Sequence, residues 1–437
     1  MDDQLLNVIG TTGLKSYSGV IDEEWLLRLR GRNAQKIYRE MIDNSSSIAT
    51  SVNLIGWLIR QASWSVTPSI EGDDSAIAEA LDTELALEDM SGTFGDIIDE
   101  ALSMIWSGYA PMEIIYKIRR GPDQEDSSLR SKYSDGKFGW RKISMRSQDT
   151  VDRWLFDEDG GLAGLVQVDH CSDRGSSMEA VIPIEKLLLF RISKHKDNPE
   201  GKSILRPAVV PYLYSKRVQE FEAIGVERNL AGMPVMEVPA ELLSVDASEN
   251  TKKLRKQFEK FITQVRKDER YGGLIPSSVK PDGSPSGFKF SLMQGGGGKV
   301  MDTDVIIKRY RNDILRIFMT QFLALGSDKA GSYALSTSQT GMFSMAIGAI
   351  MDSITDVINR FMIPRRQKLN GIDPSLSPKM THGEIQGPDL AKIAAYIQAL
   401  SNAGSLTPNN ALERRLMEMA DLPAPPDDEE LIADVEE

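Results

Sequence analysis

The sequence of 437 residues contains few of the residue types on which disulfide, metal and histidine chemistry depend. It has one cysteine, Cys171, and three histidines, His170, His195 and His382. A single cysteine cannot form a disulfide framework within the chain, and Cys171 beside His170 provides too few ligands for a zinc site. The composition therefore argues against a disulfide-stabilised scaffold, a metal cofactor and a catalytic centre built on histidine.

The sequence also lacks a secretion signal and a long apolar run. Its first ten residues, MDDQLLNVIG, begin with acids, so we expect no signal peptide and a cytoplasmic site of assembly. Residues 330–351 carry no charge, but the first half consists mainly of Ser, Thr, Gln and Gly. The apolar half is shorter than the roughly 20 residues of a membrane span. We therefore expect no membrane-spanning helix.

Positive charge is scarce overall and unevenly placed. The net charge of -13 argues against a protein that grips nucleic acid over its whole surface, because such binding depends on Lys and Arg. This net charge is compatible with a protein along which DNA moves without being bound tightly. Residues 249–270 reverse the balance with eight bases and four acids, whereas residues 425–437 form an acidic tail that we expect to be disordered.

The central feature of the sequence is a predicted helix, a polar loop and a second helix. In VMDTDVIIKRYRNDILRIFMTQFLALG, apolar residues recur at steps of three and four, which predicts an amphipathic helix roughly 35 Å long that ends at Gly326. The following SDKAGSYALSTSQTG predicts a mobile loop. A second helix is expected from Met342 until just before Pro364. For the loop, an ordinary surface excursion and a segment facing something that slides past both remain open.

The first part of the chain has the pattern of an α+β domain. Helical periodicity occupies AQKIYREMIDNSSSIATSVNLIGWLIRQ, EGDDSAIAEALDTELALED and FGDIIDEALSMIWSGYA. Strands are predicted for WSVTP, PMEIIYKIRR, KFGWRKISM, DRWLFDEDGGLAGLVQVD with a turn at 159–161, and AVIPIEKLLLFRI. All six tryptophans lie in the first 154 residues, which predicts that the largest aromatic core is here.

The remaining segments predict a small lobe between two long helices. A helix is expected over 211–229, followed by the strand PVMEVP, the basic helix SENTKKLRKQFEKFITQVRKDERYG and the strands GLIPSS and GFKFSLM. After Pro364 the sequence predicts a loop, NGIDPSLSPKMTHGEIQGPD, and then two further helices before the acidic tail.

Three motifs that could carry chemistry fail on inspection. In KHKDNPEGKSILRP, a phosphate-binding loop would need a glycine five positions before Gly201, where the chain has Lys196. Pro199 removes an amide and Glu200 adds a negative charge where a phosphate would lie. The segment GGGGKV lacks the distant glycine and is better interpreted as a hinge. The acid pairs at 302 and 304, and at 352 and 356, are better interpreted as capping or helix-face acids than as metal ligands.

Several collinear blocks resemble the portal proteins of tailed bacteriophages, specifically the Mu-like branch. The resembling blocks are GTTGLK, GWRKISMRSQDTVDRWLFDEDGGLAGLVQ, NPEGKSILRP, AGMPVMEVP and LGSDKAGSYALSTSQ. The resemblance extends nearly from end to end and contains no catalytic signature. It implies a non-enzymatic protein that forms a ring of about twelve copies at one capsid vertex.

The resemblance also implies a division of the chain. The fold is an α+β subunit with an α/β wing, two long stem helices, a small α/β clip and a short helical crown. The expected boundaries are wing 1–205, stem helices 206–231 and 301–325, clip 232–300, tunnel loop 326–340, tunnel-side helix and return to the wing 341–387, crown 388–424 and tail 425–437.

The function implied is passage of double-stranded DNA into and out of the capsid, with the large terminase, the major capsid protein and a head–tail adaptor as partners. The expected DNA-channel residues are Ser327, Lys329, Ser332, Tyr333, Ser336, Thr337 and Ser338. The expected partner-binding residues of the clip are Lys252, Lys253, Arg255 and Lys256, for which a solvated helix face is the alternative. Alternative functions are a ring-forming head–tail adaptor and a DNA-processing enzyme of the packaging machinery.

Overall fold

A computed structural model describes residues 8–385 except 170–177, 232, 245–247, 265–272, 277–282, 284–286, 294–301 and 325–332, together with residue 398. The chain divides into two units. Unit 1 comprises residues 1–207 and 315–437, and unit 2 comprises residues 208–314. The predicted crown apart from residue 398, the acidic tail and residues 326–332 of the predicted tunnel loop lie outside the described residues.

The described helices and strands are as follows. The helices are α1 Gly31–Asn44, α2 Ser46–Gln61, α3 Asp74–Glu88, α4 Phe94–Ala101, α5 Ser103–Ser107, α6 Val209–Ala231, α7 Glu249–Gln264, α8 Thr303–Ile317, α9 Tyr333–Val357 and α10 Ile363–Leu369. The strands are β1 Ser16–Tyr17, β2 Val20–Ile21, β3 Trp64–Thr67, β4 Tyr109–Ile118, β5 Phe138–Met145, β6 Val151–Phe156, β7 Leu162–Asp169, β8 Met178–Pro183, β9 Leu187–Arg191, β10 Met233–Val238, β11 Gly273–Pro276, β12 Lys289–Met293 and β13 Lys379–His382.

Helices α3 and α4 begin where side chains satisfy their free amides. Asp73 accepts a hydrogen bond from Ala76 N at 2.9 Å at the start of α3. Thr93 and Asp96 form a reciprocal capping box at the start of α4. Helix α5 ends at Gly108, whose φ of 99° is the left-handed conformation that glycine adopts without steric cost.

Unit 1 contains four small antiparallel sheets, with strand orders β5-β4-β9, β6-β7-β8, β13-β3 and β1-β2. The predicted hairpin turn at 159–161 is present: Asp157 Oδ1 accepts hydrogen bonds from Asp159 N and Gly161 N, at 3.1 and 2.6 Å. The strand signal in AVIPIEKLLLFRI corresponds to two strands, β8 and β9. A 3₁₀ turn, Ile184–Lys186, follows Pro183 and sends β8 and β9 into different sheets.

The core of unit 1 combines large aromatic side chains with buried charges. Trp140 and Trp154 are 0% and 2% exposed, whereas Trp25 and Trp57 are 77% and 66% exposed. The tryptophans therefore contribute to the core only in part. Arg119 and Arg366 are fully buried and both pair with Asp82 of α3.

Unit 2 contains the predicted lobe and parts of the two long helices. Strand β10 lies at the centre of a three-stranded sheet, parallel to β11 and antiparallel to β12, and α7 packs beside it. Helices α6 and α8 contact through the stacked rings of Tyr214 and Tyr310, whose centroids are 6.2 Å apart. Thr303 Oγ1 also donates a hydrogen bond to Glu222 Oε1 at 2.6 Å.

Helix α8 is shorter than the sequence predicts. It ends at Ile317 after 15 residues, about 22 Å rather than 35 Å. Thr320 N donates to Leu315 O at 2.9 Å and Met319 N donates to Arg316 O at 3.1 Å, a Schellman motif. Met319 occupies its left-handed position with a φ of 57°. The prediction missed this end because glycine usually fills that position.

Helix α9 also departs from the sequence prediction at both ends. It begins at Tyr333, so the last eight residues of the predicted tunnel loop are helical. The segment YALSTSQT contains no Gly or Pro, and adding it to an existing helix avoids the cost of nucleation. The chain also does not leave the helix before Pro364. A π turn, Ile358–Met362, joins α9 to α10, and Ile363 N donates to Ile358 O. This wide turn accommodates a proline that has no N–H to donate.

One side of the joined helix packs into unit 1. Within the described residues, Thr340–Leu369 is long and apolar enough to cross a membrane by length and composition alone, and 33% of its most apolar window is buried. The buried residues recur at helical spacing: Phe343, Ile347, Met351, Ile354, Ile358 and Met362. Such a stripe is typical of a helix that packs on one side against a core.

A further strand in the C-terminal part was not predicted. Strand β13, within the predicted loop NGIDPSLSPKMTHGEIQGPD, pairs antiparallel with β3 over Lys379–His382. Its four residues bring the chain back to the beginning of unit 1, because β3 lies more than 300 positions earlier in the sequence. A strand of this length has too few residues to show a clear alternating pattern, and its distant partner leaves no trace in the neighbouring sequence, so the strand could not be predicted.

Candidate functional site

The structure separates the predicted channel residues into two groups. Ser327, Lys329 and Ser332 lie outside the described residues. Tyr333, Ser336, Thr337 and Ser338 are in the first two turns of α9, so they are helical rather than part of a loop. The structure therefore places the backbone of these four residues in a helix and does not describe the other three predicted channel residues.

The side of α9 opposite its buried stripe changes character along its length. Met342 and Met345 are 53% and 71% exposed near the N-terminal end. Asp352 and Asp356 take the same side further on and are also exposed. His382 Nε2 lies 3.1 Å from Asp352 Oδ1, which gives this carboxylate a partner within unit 1. The exposed side thus passes from apolar to acidic.

The predicted clip residues lie together on α7. Lys252, Lys253 and Lys256 are exposed and Arg255 is half-buried. Lys252 pairs with Glu249 at 3.6 Å and Arg255 pairs with Glu259 at 2.8 Å, both within the helix. Such exposed pairs contribute little to stability, and Lys253 and Lys256 keep their charges available. The structure therefore brings the four predicted residues to one short helix with a net positive surface.

An aromatic cluster accompanies these bases and was missed by the sequence analysis. Phe258 and Phe261 of α7 contact Phe288 and Phe290, with ring centroids 5.1 and 6.2 Å apart. Phe261, Phe288 and Phe290 remain 56%, 51% and 45% exposed. The sequence does contain a pattern that could have predicted this cluster. Phe258 and Phe261 have the spacing of residues on one side of a helix, and Phe288 and Phe290 have the spacing of residues on one face of a strand. Half-exposed aromatic rings beside bases are suited to binding a partner that is both apolar and acidic.

Unit 1 contains a large open cavity beside the NPEGKS segment. Its volume is about 1040 Å³, and a second cavity of about 320 Å³ shares Tyr109 and Glu200 with it. Burial raises the pKa of the Glu200 carboxyl to about 7, although Trp154 Nε1 donates a hydrogen bond to it at 3.3 Å. The carboxyl is therefore partly protonated near neutral pH.

Two of the motifs rejected on sequence grounds have structural roles, whereas the GGGGKV segment lies outside the described residues. Asp302 Oδ1 accepts from Val305 N at 3.4 Å and Asp304 pairs with Lys308 at 2.8 Å, so both acids support the start of α8. In the NPEGKS segment, Asn198 Oδ1 accepts from Glu200 N and Ser203 Oγ donates to Trp106 O. Among the described residues, no group of three or more His, Cys, Asp or Glu side chains is arranged to hold a metal ion.

Comparison with known families gives one match that covers most of the chain. The family model described as the portal protein of Mu bacteriophage matches residues 35–417. This span begins within α1 and includes α2 through α10 and all strands from β3 onward. It therefore extends over parts of both units, the basic helix α7 and the predicted channel segment, but not over the cavity residues that precede Gln35.

Solved structures of gene transfer agent (GTA) particles share the fold. A chain from the neck of an empty GTA particle, computed with C6 symmetry, is 12% identical and has a TM-score of 0.54, with coverage of 93% of this chain and 97% of that chain. A chain from the virion of a native particle is 10% identical, with a TM-score of 0.52 and coverage of 90% and 94%. A chain from the native neck computed with C12 symmetry is 12% identical, with a TM-score of 0.52 and the same coverage. At these identities the similarity concerns the fold.

Proposed function

Because this chain belongs to the family of the portal protein of Mu bacteriophage, we propose that it forms the ring at the capsid vertex through which double-stranded DNA is packaged and ejected. The family match over residues 35–417 is the observation that carries this proposal. The family is one of structural proteins, so no active site is assigned to the chain. In the virion, the protein would occupy the portal vertex beside the major capsid protein.

A closed ring is supported by two observations. The related GTA necks were computed with C6 and C12 symmetry. In unit 2, the exposed side chains of α6 include Val210, Tyr214 and Phe221, at 43%, 51% and 71%. An exposed apolar helix surface on a soluble protein indicates a contact with another chain. Repetition of one such contact by rotation closes a ring.

For the ring, we assign the wing to residues 1–205 and 341–387, the stem helices to 206–231 and 301–325, and the clip to 232–300. Residues 326–340 would face the DNA at the narrowest part of the channel, with α9 entering this segment from Tyr333 onward. Hydroxyl groups donate weak, sequence-independent hydrogen bonds to phosphates, and a protein with net charge -13 holds DNA loosely.

The clip would dock the terminase motor during packaging and the head–tail connector afterwards. The basic residues of α7 and the half-exposed phenylalanines beside them support this assignment. A head–tail adaptor that never engages the motor is the second candidate, because adaptors also form rings at the same vertex. The two candidates differ in whether the clip binds terminase.

Electron microscopy and native mass spectrometry of the purified protein test the ring itself. We expect a closed cyclic assembly of about twelve copies with a central channel wide enough for a DNA duplex. Monomers and dimers alone at micromolar concentration would reject the proposal.

Charge reversal tests the clip. We expect the double variant Lys253→Glu and Lys256→Glu to bind terminase at least about 10-fold more weakly at low salt, because two attractive interactions become repulsive. The matched control reverses Lys36 and Lys142, two exposed bases of unit 1, and should bind as the wild type does. Equal affinity of both variants would favour the solvated-face interpretation and the adaptor function.

Alanine substitution tests the channel segment. Replacing Ser336, Thr337 and Ser338 by Ala retains the helix, because Ala has the highest helix propensity, and removes three hydroxyl groups. We expect rings to assemble normally and packaged DNA to be retained less completely. The assay measures ring assembly and the length of DNA held in procapsids built with the variant. Full retention of full-length genomes would show that these hydroxyls do not contact the DNA.

A further inference from the structure

The large cavity of unit 1 has the composition of a receptor for a peptide rather than of a packing defect. We call it the Glu200 cavity. Its walls include Trp25, Leu29, Gln35, Tyr38 and Glu200, together with residues 201–204, 206 and 207. At about 1040 Å³ it is large enough for a segment of several residues. It also combines apolar side chains with one buried polar atom, Gln35 Oε1, that has no hydrogen-bond partner among the described residues.

A buried hydrogen-bond acceptor in the cavity wall has no partner. Gln35 is only 6% exposed, and its Nε2 donates to Ser107 O at 3.2 Å, which fixes the orientation of the amide. Its Oε1 is buried without a hydrogen bond. A buried polar atom without a partner destabilises the fold, so such atoms are usually satisfied in the functional state of a protein. Gln35 therefore indicates that a hydrogen-bond donor enters the cavity.

The Glu200 carboxylate is a second acceptor with spare capacity. Its one hydrogen bond from the described part of the chain comes from Trp154 Nε1, at 3.3 Å. A carboxylate can accept several hydrogen bonds, and Glu200 lines both cavities. The two acceptors thus require a ligand that carries donors.

The position of Glu200 is fixed by its backbone. A side chain at Gly108 would approach Glu200 O to 2.6 Å, and one at Gly201 would approach Gly108 O to 2.4 Å. Gly108 and Gly201 have φ values of 99° and 58°. Asn198 also holds the Glu200 amide, through a 2.9 Å hydrogen bond. The NPEGKS segment is therefore a rigid wall that presents Glu200 to the cavity.

One large apolar side chain of the cavity wall is highly exposed. Trp25 is 77% exposed and lies just before the 3₁₀ turn Leu27–Leu29 that precedes α1. Arg206 lies over the Trp25 ring at 5.9 Å but is itself paired with Glu24. An apolar ring with so much exposed area provides a contact surface for an apolar ligand.

The same chain displays a segment with matching chemistry. Residues 8–14, VIGTTGL, are not part of a helix or strand, and Val8 and Ile9 are 65% and 79% exposed. Thr11 and Thr12 carry hydroxyl donors next to these apolar residues. Leu14 packs on the core cluster that contains Ile21, and Ile21 also lines the cavity. Each copy therefore presents the arm beside its own receptor without occupying it.

We propose that residues 8–13 of one copy bind in the Glu200 cavity of the adjacent copy, with Val8 and Ile9 on the Trp25 ring and Thr11 or Thr12 donating to Gln35 and Glu200. This inference rests on the proposed ring and names one contact that holds it together. Arm and receptor are different surfaces of the same chain, so the contact is heterologous and repeats from copy to copy until the ring closes.

Disulfide trapping distinguishes this arrangement from the alternatives. In a Cys171→Ser background, Ile9→Cys and Trp25→Cys are combined and the assembled protein is oxidised. An arm that enters the adjacent copy gives a covalent ladder that extends beyond dimers on a non-reducing gel. Either single-cysteine variant can give dimers at most. A product that stays monomeric, or no product at all, overturns the proposal.

Electron microscopy of the same samples separates failure of the inference from failure of the proposed function. Rings without a ladder would leave the portal assignment standing and remove the arm contact. Absence of rings in the wild-type protein would reject both.

A second variant tests the contact without cysteines. Ile9→Asp places a charge on the apolar part of the arm, and we expect the concentration for half-maximal ring assembly to rise by about 10-fold or more. Val181→Asp is the matched control, because Val181 of β8 is similarly exposed, at 62%, and lies outside the arm and the cavity lining. Equal assembly of the two variants would overturn the proposal.

Discussion

Unit 1 and unit 2 differ in what they bury and what they expose. Unit 1 buries charged groups completely: Arg119 and Arg366 are 0% exposed, and the side chains of Lys117 and Asp89 are each 4% exposed. In unit 2 the described ion pairs are at the surface, and Phe261, Phe288 and Phe290 remain about half exposed.

This contrast separates two sources of stability. A buried ion that keeps its oppositely charged partner requires a rigid surrounding fold, which a single copy of unit 1 provides. A half-exposed aromatic cluster gains its full burial only when another surface covers it. We therefore expect the folding of unit 1 to depend on its internal contacts and that of unit 2 to depend more on partners.

The largest effect on stability is expected from removing the carboxylate that pairs with the buried arginines of unit 1. Burial opposes the charge of Asp82, but hydrogen bonds from Arg119 and Arg366 outweigh it and lower the pKa of the carboxyl. Asp82→Asn leaves two buried guanidinium groups undercompensated and should reduce the free energy of unfolding by about 3–5 kcal/mol. Denaturant unfolding measures the loss.

The control is Asp99→Asn, which removes the exposed ion pair with Arg60 and should reduce the free energy of unfolding by less than about 1 kcal/mol. Similar losses for the two variants would contradict the contrast.

The next effect concerns the uncovered aromatics of unit 2. We expect the double variant Phe261→Ser and Phe290→Ser to change the stability of the dissociated subunit by less than about 1 kcal/mol, because both rings are about half exposed. Terminase binding should fall about 10-fold or more, since aromatic residues contribute strongly at interfaces. The control is Phe190→Ala in unit 1, a fully buried ring whose loss should cost about 3–5 kcal/mol. A comparably destabilised double variant would mean that unit 2 has its own tight core.

A smaller effect follows from the Glu200 carboxyl, which has no cationic partner among the described residues. Burial raises the pKa of Glu200 from 4.5 to about 7. The folded state therefore binds the proton more tightly than the unfolded state, and stability declines as the pH rises from about 4.5 to 7. Glu200→Gln should raise the melting temperature of the dissociated subunit by about 2–4 °C at pH 8 and leave it unchanged near pH 4.5. Thermal unfolding across this range checks the prediction. A pH-independent difference would exclude titration of Glu200 as its cause.

The smallest effect is expected where α8 ends. Met319 holds a φ of 57° and is 48% exposed. Met319→Gly removes the steric cost of this conformation and should increase stability by about 0.5–1 kcal/mol, net of the greater freedom of glycine in the unfolded chain. Gly225, within α6, offers the converse control: Gly225→Ala should also stabilise, through helix propensity. A loss of stability for Met319→Gly would show that the exposed side chain makes contacts that outweigh the backbone strain.

The sequence predicted the regular elements better than their ends. Strands β4, β5 and the β6–β7 hairpin follow from alternation and from the turn chemistry of Asp157 to Gly161. The end of α8 was missed because Met319 carries no glycine signal. The break between β8 and β9 depends on Arg365, which donates to Ile184 O and Leu187 O from a distant part of the chain. Local pattern contains no information about such contacts.

The candidate sites were predictable to different degrees. The bases of α7 could be recognised because charge is visible in the sequence, whereas their aromatic neighbours required the pairing of α7 with β12. The NPEGKS segment drew attention as a failed phosphate-binding loop. Its position beside Gln35 depends on the close approach of Gly108 and Gly201, which only the folded backbone reveals.

The π turn between α9 and α10 has a consequence for insertions and deletions. A π turn contains one residue more than an α turn, so the turn at Ile358–Met362 is equivalent to a single-residue insertion in a continuous helix. Relatives without the extra residue can still bury the same faces of α9 and α10, before and after the turn. In those relatives the turn would be an ordinary α turn, in which the ring of a proline at position 364 clashes with the carbonyl group four residues earlier. We therefore expect a one-residue gap at this turn to coincide with loss of that proline.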